Sequence, residues 1–329
     1  MGNSFLVTTA IPDPGLQLLS DAGRVTVLPE PPDYGTLAAL CASGDYDVVL
    51  TQLRDVIDAP LLADARVKGV SNYAVGYNNI DIDAATRHGI LVGNTPGVLT
   101  DATADIAMLL ILGAARRVVE ADRLVRDGKF LGWEPELLLG RDVSGAVLGL
   151  AGFGRIARAT ARRALGFGMD VAFSPRPPGD RPVSDEELGE FAGKVRQVPW
   201  TELVERSDFL SLHVPLNDQT RHLVDAGVLA RMKPDSILIN TARGPVVDEA
   251  ALVEALRNGV IAGAGLDVFE DEPRLAAGLA ELPNTVLLPH VGSATVRVRS
   301  EMARLSALNA IAIAEGRLPL HPVNPHARA

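Results

Sequence analysis

The run V-L-G-L-A-G-F-G-R-I-A, residues 147–157, decides the fold of this chain. Its first five residues read as a short buried strand, the two closely spaced glycines as a turn, and the residues from Arg155 as a helix start. Gly152 permits the tight turn. Gly154 lets the backbone approach a pyrophosphate. Ala157 fills the third small-residue slot, where helix and strand pack closely. The helix N-terminus offers free N–H groups and a partial positive charge to phosphates. Phe153, Arg155 and Ile156 complete this candidate dinucleotide turn. About half of the chain precedes it, so another unit comes first.

The rest of the composition bounds the possibilities. A chain of 329 residues suggests two domains at about 150 residues each. With 31 basic and 41 acidic residues the formal charge is −10, which argues against non-specific nucleic-acid or membrane-surface binding. Cys41 is the sole cysteine, so no intrachain disulfide forms, and a reducing cytoplasm is expected. The N-terminus lacks the pattern of a secretory signal. No apolar run approaches the ~20 residues of a membrane span. No metal is expected.

Working outward from the turn, strands and helices alternate. Before it, strands are expected at 5–9, 25–28, 47–50, 68–71 and 90–92, and one unbroken helix over 99–127. After it, strands are expected at 170–173, 208–214, 236–240, 263–267 and 285–288, with helices over 249–258 and 294–315. The Pro-rich stretch from Pro175 reads as a surface loop, and Ser184 with Glu187 as a capping box.

In an open parallel sheet, polar residues at the C-terminal ends of strands face the ligand crevice. Three such ends carry chemistry. N-T-A-R-G presents Arg243, L-D-V-F-E-D-E-P presents Asp267 and then Glu272, and P-H-V-G-S presents His290. These are the parts a 2-oxo acid reductase needs. Arginine binds a carboxylate and polarises a carbonyl. Histidine supplies a proton as hydride arrives. A carboxylate beside it orients the ring and favours its protonated form. Asp267 could instead simply cap its strand end.

Seven segments together carry a resemblance: V-G-Y-N-N-I-D (75–81), N-T-P-G-V-L-T-D-A-T-A-D (94–105), G-F-G-R-I-A (152–157), H-V-P-L (213–216), N-T-A-R-G-P-V-V-D-E (240–249), L-D-V-F-E-D-E-P (266–273) and P-H-V-G-S-A-T (289–295). In order and spacing the chain resembles the D-isomer-specific 2-hydroxyacid dehydrogenase family, on its glyoxylate/hydroxypyruvate reductase branch. The resemblance implies an α/β fold of two doubly wound parallel-sheet domains. A flavodoxin-like substrate domain, 1–98 and 291–329, would be interrupted by a Rossmann-type cofactor domain, 99–290. It implies catalytic roles for Arg243, Glu272 and His290. The amides of Val75 and Gly76 would bind the substrate carboxylate together with Arg243. Thr103, His213, Val214, Pro215, Thr220, Thr241, Ala242, Asp267 and Gly292 would surround the nicotinamide and riboses. Ser293 would contact substrate. Trp133 would either reach the site of a partner subunit or simply pack at a dimer interface or in a core; family members are usually homodimers. Arg297 and Arg299 would sense the far end of a longer substrate.

The expected reaction is reduction of a small 2-oxo acid (glyoxylate, hydroxypyruvate or 2-ketogluconate) to the D-2-hydroxy acid. NAD-specific turns end their second strand in an acid that holds the ribose 2′-OH. Here that strand ends Ser174-Pro175-Arg176. Nothing there repels a 2′-phosphate, and Ser174 and Arg176 could bind one. NADPH is therefore expected, with NADH possible. Two alternatives use the same fold: a nucleotide-sensing corepressor-like protein, or a dehydrogenase of formate or phosphite. The formate enzymes carry Gln at the position of Glu272 and the phosphite enzymes Lys at that of Val75, and neither feature is present.

Overall fold

Strands buried on both faces of a sheet read as unbroken apolar runs, and the chain holds two groups of them. In the computed structural model, which describes residues 2–327, these form two compact units: Met1–Leu99 with Ala294–Ala329, and Thr100–Ser293.

The first unit contains β1 (Asn3–Val7), β2 (Gly23–Val27), β3 (Val48–Thr51), β4 (Gly69–Asn72) and β5 (Leu91–Gly93). They pair in parallel in the order β2-β1-β3-β4-β5, which is the flavodoxin-like order. Aspartates start the helices between them. Asp33, Asp58 and Asp81 accept the amides of Thr36, Leu61 and Ala84, satisfying donors that a helix start leaves unpaired. Leu6, Val49, Val70 and Val92 meet Leu37, Leu61 and Ala85 in the core on one side. The other side is covered by the helix Val296–Ala314, which packs on β1, β3, β4 and β5. Ser71 Oγ on β4 donates to its Ser306 carbonyl at 2.8 Å.

The second unit holds β6 (Val147–Ala151), β7 (Asp170–Ser174), β8 (Val195–Gln197), β9 (Phe209–Leu212), β10 (Ile237–Asn240), β11 (Gly263–Leu266) and β12 (Thr285–Leu287). The order is β12-β11-β10-β9-β6-β7-β8, again all parallel. Alternate residues face opposite sides. Phe209, Ile237 and Ile239 enter one core, while Leu210, Leu212 and Leu238 enter the other. The strand order changes direction between β6 and β9. Such a switch point is where an open α/β sheet binds ligands, and the glycine turn lies at this end of β6.

The structure corrects one helix. The stretch expected to be continuous over 99–127 divides into Thr100–Ala115 and Val118–Arg126. Arg117 between them has φ +52°. At the break, the Ala115 carbonyl, which a continuing helix would give to residue 119, instead accepts the Arg141 N–H at 2.8 Å. Of the expected capping box, the Ser184 half forms, its hydroxyl accepting the Glu187 amide at 3.2 Å. The Glu187 carboxylate pairs with Arg181. Strand β8 was not foreseen.

Candidate active site

The glycine turn is built from backbone constraints. Gly152 has φ +92°, and a Cβ there would lie 2.7 Å from the His213 carbonyl oxygen. Only glycine meets both conditions. Gly154 precedes the helix Arg155–Gly166, and no side chain caps that helix. A Cβ at Gly154 would meet nothing within 4 Å, so the approach to the free amides is open. Ala157 is fully buried, as close packing of this helix requires. Arg155 is exposed and Ile156 half-buried.

Phe153 is anchored inward. Its ring stacks on Phe173 at 4.1 Å between centroids and meets Phe191 edge-on at 5.6 Å. The Arg158 guanidinium lies 4.7 Å above it and donates to its carbonyl. Any contact from Phe153 to a nucleotide is therefore through its backbone.

Two buried hydroxyls at strand ends, Ser174 Oγ and Thr241 Oγ1, have no hydrogen-bond partner among the described residues. Such groups are costly unless a ligand or water satisfies them. With the uncapped helix and the open space at Gly154, they fit a dinucleotide. Pro175 is half-buried and Arg176 exposed. His213 and Val214 follow β9. His213 Nε2 lies 2.9 Å from Ser211 Oγ, and burial pulls its pKa down to about 4. Pro215 is exposed, and its carbonyl accepts from the buried Thr220 hydroxyl at 2.6 Å.

The chemistry-bearing strand ends are each braced. Asn240, at the end of β10, accepts the Ala242 amide at 3.0 Å and donates to the Arg243 carbonyl at 2.9 Å. This fixes the turn that carries Arg243. A Cβ on the next residue, Gly244, would lie 1.8 Å from the Phe269 carbonyl oxygen. The Arg243 loop is thus seated directly on the backbone that leads to Glu272. Burial lowers the Arg243 pKa, and the Glu272 charge opposes that shift. Asp267 accepts the amides of Val291 at 2.7 Å and Gly292 at 2.8 Å. Burial raises its pKa, against those two amides and the charge of His290. Thr103 Oγ1 donates to the Gly292 carbonyl at 3.2 Å.

His290 Nδ1 lies 2.9 Å from Glu272 Oε2, with side chains 33% and 37% exposed. Burial pushes the Glu272 pKa up, but the hydrogen bond and charge of His290, the Phe269 amide and Arg243 outweigh it. The carboxyl is held below its ordinary range. An ionised carboxylate only accepts, so His290 Nδ1 carries the donating proton. Nε2 is left to exchange a proton with another molecule. His290 itself has φ +54°, an uncommon conformation of the kind found at functional sites.

Residues 108–292 match the D-isomer specific 2-hydroxyacid dehydrogenase, NAD binding domain. The chain is 46% identical over 331 residues to a glyoxylate reductase of Thermococcus litoralis, covering 98% of this chain and 97% of that one. The chain belongs to the D-isomer specific 2-hydroxyacid dehydrogenase family. A glyoxylate reductase of Pyrococcus furiosus is 44% identical, with 98% and 96% covered. Among solved structures, an NADPH-dependent glyoxylate/hydroxypyruvate reductase of Sinorhizobium meliloti, in complex with NADP and malonate, superposes with a TM-score of 0.86. It is 36% identical, over 99% of this chain and 98% of that one.

This 2-hydroxyacid dehydrogenase is accordingly an oxidoreductase with an NAD(P)-binding domain. None of its helices, among the described residues, is long and apolar enough to cross a membrane. Its other candidate residues are dispersed. Val75 and Gly76 lie half-buried on the loop after β4 of the first unit. Ser293, at the end of the second unit, is half-buried, Arg297 exposed and Arg299 half-buried. Trp133 is 83% exposed, in a stretch where Leu131 and Leu139 are also exposed.

Sequence reasoning gave no separate role to Glu249, Asn72 or Asn94. Glu249 is buried, and it accepts the amides of Glu270 at 2.5 Å and Ala276 at 3.3 Å. Its own amide donates to the Glu270 carboxylate at 3.2 Å. It therefore holds both sides of the loop bearing Glu272. Its one sequence signal is an acid just after an N-cap aspartate, which ordinarily reads as a solvated helix start.

Proposed function

We propose that this enzyme reduces a small 2-oxo acid, in the class of glyoxylate, hydroxypyruvate or 2-ketogluconate, to the D-2-hydroxy acid with NADPH. The His290–Glu272 pair carries this reading: it ties Nδ1 of the ring to a carboxylate and leaves Nε2 available. When bound, the nicotinamide would supply the hydride for the carbonyl carbon. His290 Nε2 delivers the proton to the oxygen, and Glu272 orients the ring and stabilises its positive charge. Arg243 binds the substrate carboxylate and polarises the carbonyl, with the Val75 and Gly76 amides as further carboxylate donors. Ser174 and Arg176 take the 2′-phosphate. Thr103, Thr241, Ala242, Asp267 and Gly292 shape the nicotinamide and ribose site.

The test is a panel of 2-oxo acids assayed with NADPH and NADH side by side. We expect kcat/KM to favour NADPH, and Arg176→Ala to remove most of that preference. His290→Ala should lower kcat by ~10²–10⁴ while NADPH still binds. Equal use of both cofactors would remove the NADPH assignment, and a fully active His290→Ala variant the acid role.

The apolar side chains of Leu131, Trp133 and Leu139 are unusual to leave in water and support a homodimer joined through this stretch. Light scattering is expected to give twice the chain mass. A monomer, unchanged by Trp133→Ala, would refute it.

A further inference from the structure

The loop after β4 is held by its carbonyl oxygens. Ala74 O accepts the Thr95 N–H at 2.9 Å. Val75 O accepts from Asn94 Nδ2 at 2.7 Å, and Gly76 O accepts from Asn72 Nδ2 at 2.9 Å. A trans peptide unit is a rigid plane with C=O and the following N–H on opposite sides. Fixing these three oxygens therefore fixes the directions of the N–H groups of Val75, Gly76 and Tyr77. Among the described residues those three N–H groups donate to nothing.

The two asparagines are themselves immobilised. Asn72 is fully buried at the end of β4, and its Oδ1 accepts from Thr51 Oγ1 at 3.0 Å. Asn94 is 9% exposed just past β5. Its carbonyl accepts from the fully buried Asn309 Nδ2 at 2.8 Å, and its N–H donates to the His321 carbonyl at 3.2 Å. A buried side-chain amide spent on a loop carbonyl, with the neighbouring N–H groups left unpaired, is the arrangement of a preorganised anion cradle.

We propose that Asn94 is a positioning residue for the substrate carboxylate, seconded by Asn72: it locks the Val75–Gly76 peptide plane so that the Gly76 N–H is aimed before substrate arrives. The proposal rests on the reading that the Val75 and Gly76 amides bind that carboxylate. Asparagine is required because it must donate. Aspartate, of the same shape, presents only acceptors to the Val75 oxygen.

The experiment compares glyoxylate with glycolaldehyde, which has the same carbonyl but no carboxylate, in the full-length enzyme saturated with NADPH. Asn94→Ala and Asn94→Asp should lower kcat/KM for glyoxylate roughly 3- to 10-fold, the worth of one aligned hydrogen bond, with the loss carried by KM. The kcat/KM for glycolaldehyde should not fall with it. NADPH binding followed by fluorescence reports that the fold is intact. An unchanged glyoxylate KM in both variants, or an equal loss with glycolaldehyde, overturns the proposal. Gly76→Pro, which deletes the N–H itself, separates the two levels. If it leaves the glyoxylate KM unchanged, the carboxylate reading falls and the proposal with it. If it raises KM while Asn94→Ala does not, only the positioning role falls.

Discussion

At the scale of the residue, a carboxylate kept ionised beside an imidazole decides which ring nitrogen stays available. Glu272 takes Nδ1 of His290 at 2.9 Å and leaves Nε2. The sign of its pH effect follows. Its folded pKa is depressed, so the stabilisation from this pairing is complete above the unfolded value of about 4.3. That stabilisation is lost as pH falls through the lower folded value. The Tm advantage of the wild type over Glu272→Gln should therefore vanish on acidification below the ordinary glutamate range. The same variant should also displace the pH profile of kcat/KM, because the ring loses the carboxylate beside its Nδ1. A profile that superposes on the wild type would show that the pair does not act together. Arg243 and His290 stand out in the sequence as candidates because each lies just past an apolar strand, and Glu272 because it lies further along the loop that follows another.

At the scale of the element, parallel strands were readable because burial on both faces writes them as continuous apolar runs, as in I-L-I-N of β10. What escaped has a physical reason in each case. Strand β8, V-R-Q, is three residues at a sheet edge, too short and too polar to stand out. The helix break at Arg117, where the Ala115 carbonyl accepts from Arg141, has no local glycine or proline to announce it. Glu249, Asn72 and Asn94 bind main-chain groups, and a side chain aimed at a backbone atom leaves no periodic trace. The Glu272 loop is a case where this can be measured. Glu249→Ala would strand the amides of Glu270 and Ala276, at about 1–3 kcal/mol for each that stays buried and unsatisfied. We expect a lowered Tm, and a larger fall in kcat than in NADPH affinity, since the loop carries Glu272. Equal Tm values for variant and wild type would show that the loop holds itself.

At the scale of the whole molecule, the second unit is one continuous stretch, Thr100–Ser293, with a seven-stranded sheet. Its two cores are drawn from residues within that stretch. Expressed alone, it should fold cooperatively and bind NADPH without turning over 2-oxo acids. Calorimetry showing no transition, or a failure to bind nucleotide, would refute its autonomy. The first unit is different in kind, because its sheet is made at the start of the chain and its covering helix, Val296–Ala314, at the end. On the ribosome, order of synthesis and order of completion must therefore be reversed. The sheet β1 to β5 emerges first but waits, one apolar face lacking its long helix, while the whole intervening unit is translated and can already close. A chaperone that shields that face during translation would matter more to this protein than its modest size suggests.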